Sequence, residues 1–137
     1  RSAFLLAEVE ERSRRDLVTG LGNRRFFEEA IERETSRLGR TAGELSVVLV
    51  DLDSFKQVND EHGHLAGDTV LAQVGEALVE SGRAHDVVAR IGGDEFAMLL
   101  VDCGLDDART VAERARLAVW DAVGDRGEAK LNSSAAM

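Results

Sequence analysis

The chain is predicted to adopt an α+β fold, a mainly antiparallel sheet flanked by helices, and three observations carry that prediction. Leu45 to Leu52 (LSVVLVDL) is an unbroken apolar run rich in β-branched residues, the pattern of a buried central strand. Val87 to Ile91 and Glu95 to Val101 are two short strand patterns separated by Gly92-Gly93-Asp94, which signals a hairpin. Around these strands lie segments whose apolar residues recur at helical spacing. The order helix, strand, helix, strand, strand, helix suits helices packed on an antiparallel sheet.

Each element has its own local reason. Residues 1–15 are charged with a thin apolar stripe of Phe4, Leu5 and Val9, and read either as a frayed terminal helix or as the end of a connecting helix from an upstream domain. In Asp16 to Arg24 two glycines and Asn23 mark a loop and a helix cap. Phe26, Phe27, Ala30, Ile31 and Leu38 then keep helical spacing up to Gly39, a stop signal. A short helical stretch is expected from Ser54, and Asp68 is suited to cap a longer helix whose core face is Val70, Leu71, Val74 and Leu78. Asp106 to Val119 is helical again, with Val111, Ala112, Ala115 and Val119 inward. This gives a connecting helix at 1–15, one folded domain at 16–132, and a small polar tail at 133–137.

Composition narrows the function classes. A chain of 137 residues suits one domain, and 44% hydrophobic with 31% charged residues is ordinary for a globular protein. A net charge of −9 argues against binding nucleic acid, whose phosphate backbone needs a basic face. It leaves room for a phosphate-bearing small molecule if cations lie between carboxylates and phosphates. Cys103 is the only cysteine, which rules out an intrachain disulfide or a cysteine-based zinc site and fits a reducing cytoplasm. No apolar run approaches the length of a membrane span. The first residue is not Met, so the chain reads as a piece of a larger parent, itself free or membrane-anchored.

Two acidic clusters stand where strands end. Asp51 and Asp53 share a face at the end of the first strand, because strand side chains alternate, and Asp94 and Glu95 stand at the hairpin tip. If the hairpin pairs beside the first strand, both clusters meet at one rim, where their repulsion must be relieved by solvent or a cation such as magnesium. Acidic residues at loop tips are most often only solvated. Gly92 and Gly93 allow two readings: positive φ in a tight turn, or close approach of a flat base or a phosphate to the backbone.

Four segments in register resemble one family. Ile91 to Phe96 (IGGDEF) contains the signature for which GGDEF domains, the diguanylate cyclase modules, are named. Asp16 to Arg25 (DLVTGLGNRR), Asp51 to Asp60 (DLDSFKQVND) and Gly63 to Asp68 (GHLAGD) match further motifs of that family in order. The resemblance implies a palm-like fold of the class III nucleotide cyclase type, and condensation of two GTP into cyclic di-GMP across a homodimer with Mg2+ or Mn2+. It implies Asp51, Asp94 and the Leu52 carbonyl as metal ligands, with Glu95 as a base or further metal contact. Asn59 and Asp68 would read guanine, Phe55 and Lys56 would open a helix beside the phosphates, and Gly92 and Gly93 would pass close to the nucleotide. Phe55 reads equally as a core residue, and Asp68 as a plain cap. His62 and His64 read as structural, since a hard oxygen-ligand site has no need of imidazole.

The same resemblance reads Arg83-Ala84-His85-Asp86 as an RxxD inhibitory site for the product cyclic di-GMP, Arg83 taking a phosphate or guanine face and Asp86 a guanine edge. As a bare pattern it is a surface ion pair. An upstream sensor or regulatory domain in the parent is also implied. The family continues past the position of Asn132 with a strand, a helix and basic residues, so the domain is expected to be C-terminally incomplete, with one sheet edge open. The alternative to an enzyme is a catalytically silent module that binds cyclic di-GMP or GTP for regulation.

Overall fold

The computed structural model describes residues 13–40, 43–53, 55–124 and the backbone of 128–136. Its elements, in chain order, are α1 (Arg24–Leu38), β1 (Leu45–Asp53), α2 (Phe55–His62), α3 (His64–Ser81), β2 (Val87–Arg90), β3 (Glu95–Val101), α4 (Leu105–Val123) and β4 (Glu128–Ala136). Most of the helix expected over 1–15 lies outside the described residues; 13–15 form a turn and a bridge from Arg15 to Gly22. Asn23 caps α1 as its sequence suggests, its side-chain oxygen accepting the Phe26 N–H at 3.0 Å.

The four strands form one antiparallel sheet in the order β2-β3-β1-β4. Strand alternation gives it two faces. Val48, Val50 and Leu52 of β1 with Phe96, Met98 and Leu100 of β3 face α3 and α4, where Val70, Leu71, Val74 and Leu78 meet Val111, Ala115 and Val119 in the main core. Burying each of these large side chains fully is worth about 1.5–3 kcal/mol. On the opposite face Phe27 and Ala30 of α1 cover Ala89, Ala97 and Leu99. That cover leaves Leu49 of β1 41% exposed, so the central strand is open on one side near its carboxylate end.

One expectation needs correction. Asp68 does not cap its helix. Gly63, at φ 88°, turns the chain between α2 and α3, so α3 begins at His64 and Asp68 lies inside it. The Gly63 carbonyl accepts the Gly67 N–H at 3.2 Å, the first bond of the new helix. On the outer side of β1, β4 runs from Glu128 opposite Asp53 to Ala136 opposite Leu45, and β4 forms that edge of the sheet. Residues 133–136, read from sequence as a tail, belong to this strand. No helix among the described residues is long and apolar enough to cross a membrane.

Candidate functional site

The register of β1 and β3 brings the two acidic clusters together. Asp51 and Glu95 are direct cross-strand partners, and opposite side chains share a face at about 4.5–5.5 Å between Cβ atoms. The Leu52 N–H donates to the Asp94 carbonyl at 3.1 Å, which carries the ladder one residue into the hairpin tip. Asp51 and Glu95 are exposed and Asp94 half-buried. Among the described residues none of the three forms an ion pair with a cationic side chain. Like charges directly opposite in a sheet repel, and on the other side of β1 the register sets Lys130 of β4 opposite Asp51.

The donor set fits a hard divalent ion. It consists of carboxylates and a backbone carbonyl at an open rim. No three His, Cys, Asp or Glu side chains of the described residues form a closed metal cage. Magnesium needs none, since it is commonly held by one or two carboxylates with substrate phosphates and water completing its shell.

The hairpin tip answers the question its glycines raised. Neither Gly92 nor Gly93 has φ in the left-handed region, so the turn does not require them for backbone conformation. The Ile91 and Gly92 N–H groups both donate to the Glu95 carbonyl, at 2.9 and 3.3 Å. A Cβ on Gly92 would meet Glu95 Oε1 at 3.1 Å, whereas one on Gly93 would meet nothing within 4 Å. Gly93 therefore leaves open space at the exposed tip.

A second corner forms where α2 meets α3. Phe55 is half-buried and packs against the main core, while Lys56 is exposed. Asn59 is half-buried, and its side-chain oxygen is buried with no hydrogen-bond partner. A Cβ on Gly67 would collide with that oxygen and lie 3.2 Å from Phe55 Cζ, so the glycine is what admits Asn59 between the helices. Asp68, next in the chain, is exposed beside this corner. An orphaned buried acceptor costs roughly 1–3 kcal/mol, a penalty that a donor on a bound base would remove.

The Arg83–Asp86 segment is in a different state. The Asp86 side chain is 1% exposed and its carboxylate accepts four bonds. These come from the Arg83 N–H at 2.9 Å, Arg83 Nε at 3.2 Å, Arg83 Nη2 at 3.0 Å and the Val101 N–H at 3.4 Å. Arg83 also donates to the Val101 carbonyl at 2.8 Å. Its bond to Asp86 raises the guanidinium above its ordinary pKa. Arg83 borders a cleft of about 440 Å³ that Glu34, Arg37, His85 and Asp102 also line. Arg37, held by Glu34 at 2.7 Å on its own helix and by Asp102 at 3.3 Å just past β3, was not singled out by sequence. A shallower depression of about 690 Å³ runs along α4 past Arg109, Leu117 and Asp121 and shares no residue with the rim.

Comparison with known proteins identifies the family. Residues 13–124 match the family described as "Diguanylate cyclase, GGDEF domain". The diguanylate cyclase DgcP of Pseudomonas aeruginosa is 40% identical over 114 residues, 83% of this chain and 17% of that protein. The uncharacterized protein YhcK of Bacillus subtilis is 44% identical over 108 residues, 78% of this chain and 30% of that one. The chain thus spans less than a third of the length of either relative. The crystal structure of the diguanylate cyclase SiaD from Pseudomonas aeruginosa, solved with its activator SiaC, superposes with a TM-score of 0.85 at 35% identity, over 99% of this chain and 55% of that one. With the family model matched across the hairpin, both acidic strands and the α2–α3 corner, the chain belongs to the GGDEF domain family of diguanylate cyclases.

Proposed function

We propose that this chain is the cyclase module that condenses two GTP into cyclic di-GMP, one GTP held by each of two facing copies, with Mg2+ or Mn2+. The observation that carries the reading is the rim itself: Asp51 opposite Glu95, Asp94 tied to Leu52, and no ion pair on any of the three carboxylates among the described side chains. Asp51, Asp94 and the Leu52 carbonyl are the groups that would hold the divalent ion. When bound, such an ion offsets triphosphate charge and lowers the pKa of the attacking hydroxyl.

The chain's own residues supply the rest. Glu95 accepts the proton of the 3′-hydroxyl of the facing nucleotide as its oxygen bonds to the α-phosphorus. The α–β phosphoanhydride breaks, and pyrophosphate leaves. The same step on the second copy closes the ring, which is why two copies are needed. Asp68 accepts from guanine N1 and N2, and Asn59 uses its unpartnered oxygen on the same base. Phe55 anchors the start of α2, Lys56 reaches the phosphates, and Gly92 and Gly93 let the nucleotide close on the hairpin. The cleft beside Arg83 receives the product, which competes with Asp86 for the guanidinium. A parent protein with an upstream sensor or regulatory domain would work in the cytoplasm, where GTP is supplied.

Labelled GTP with Mg2+ tests the reading. Cyclic di-GMP should accumulate with the chain and with its full-length parent, and vanish in Asp94→Asn. No cyclic dinucleotide at any protein concentration would overturn it. Calorimetric binding of cyclic di-GMP would then identify a silent regulatory module.

A further inference from the structure

The hairpin tip is held from two sides, and only one hold belongs to the sheet. On one side the Leu52 N–H fixes the Asp94 carbonyl at 3.1 Å. On the other, Arg90 Nε and Nη2 donate to the Gly93 carbonyl at 3.2 and 2.9 Å. Peptide units are planar, so these bonds orient the peptide planes before and after the Asp94 Cα. The side chain of Asp94 is aimed by both.

Arg90 is itself held. Its Nη1 donates to Asp16 Oδ1 at 3.0 Å, and the two side chains are only 16% and 18% exposed. The other Asp16 oxygen accepts the Thr19 N–H at 2.9 Å and the Thr19 hydroxyl at 2.7 Å. The turn closes on itself through Asp16 N–H to the Leu21 carbonyl at 2.7 Å, and Arg90 N–H reaches the Gly22 carbonyl at 3.0 Å. A planar guanidinium can span a carbonyl on one edge and a carboxylate on another; an ammonium cannot. With Asp16 beside it, Arg90 is neutralised and committed, not a spare cation for phosphate.

We infer that Arg90, locked by Asp16, is a positioning residue for Asp94, so that the turn at 16–22 sets the geometry of the carboxylate rim. This rests on the proposed cyclase reading for its kinetic consequence, though the mechanical link does not. Since Asp16 directly follows residues 1–15, a shift of that segment would be felt at Asp94.

Kinetics and hydrogen exchange on the full chain test it. In Arg90→Gln, kcat per GTP-binding site should fall about 10- to 100-fold, the size of loss a small misplacement causes. KM for GTP should change by no more than about threefold, as for a group that acts on the transition state. Arg90→Lys should recover little, Asp16→Asn should fall less, and the double variant should be no worse than Arg90→Gln alone. A merely structural role would lower the number of active sites and leave kcat per site unchanged. The Leu52 and Phe96 amides should exchange faster in Arg90→Gln than in wild type and in Arg24→Gln, a control on the exposed Arg24–Glu28 pair. Unchanged kcat per site, or unchanged exchange at the tip, overturns the inference. If wild type makes no cyclic di-GMP, the cyclase reading fails alone, and exchange still decides the clamp.

Discussion

The carboxylate rim and the Arg83–Asp86 corner both place acidic residues beside a turn at the end of a strand, yet their electrostatic states are opposite. At the rim Asp51 and Glu95 face each other across β1 and β3, exposed, with like charge and no ion pair among the described side chains. At the corner the Asp86 side chain is 1% exposed and has an arginine and two backbone N–H groups around it. A carboxylate whose lone pairs are filled by the fold serves the fold. Carboxylates left to repel one another are available to an external cation, at a cost of a few tenths of a kcal/mol to about 1 kcal/mol in the sheet. Function sits where the protein leaves its charge unfinished.

The largest expected effect breaks the rim. Asp51→Asn and Asp94→Asn should each lower cyclase activity at least about 100-fold, because a carboxylate that holds the metal is lost. Thermal stability without metal should stay level or rise slightly in Glu95→Gln, since its pair with Asp51 no longer repels. A clear drop in melting temperature would instead mark the rim as structural. Asp86→Ala should do the reverse. It strands the Val101 and Arg83 N–H groups and should cost roughly 2–3 kcal/mol in urea unfolding, with activity per folded molecule close to wild type.

Arg83→Ala sharpens the contrast within the corner. Loss of the guanidinium leaves the buried Asp86 carboxylate with two backbone N–H donors and should cost roughly 1–3 kcal/mol of stability. Cyclic di-GMP affinity, by calorimetry, should also fall about tenfold or more, since a charged, hydrogen-bonding group is lost from the cleft. The smallest effect probes how dry the corner is. Burial pushes the Cys103 thiol above its ordinary value near 9. The unfolded chain then releases the proton first, so stability should be flat below about pH 9 and fall as pH rises beyond it, through the folded value. Cys103→Ala should flatten that slope in denaturant titrations across this range.

Much of the frame was legible in the sequence. Helical spacing named Val70, Leu71, Val74 and Leu78, and all four are buried. Period two put Asp51 and Asp53 on one strand face, and Gly92-Gly93-Asp94 marked a hairpin that β2 and β3 form. Other features were invisible because their partners are remote. The saturation of Asp86 depends on Val101, and the commitment of Arg90 depends on Asp16. Gly67 looks like a weak helix residue until Asn59 is placed against it. Gly63 displaced Asp68 from the cap because a single left-handed residue lets one helix start where another stops. No spacing rule foretold the pairing of 128–136 with β1, a polar segment without strand periodicity.

Local backbone geometry is repeated along the chain, so periods of 3.6 and 2 residues made the core-facing helices, the central strand and the hairpin legible from sequence alone. Which carboxylate meets a cation is another matter. That was decided only in the tertiary structure, where sheet register set Asp51 against Glu95 and chain folding set Asp16 against Arg90 and Asp86 against the Val101 N–H. Charge pairing acts through space between residues far apart in the chain, and its outcome follows from distance and burial.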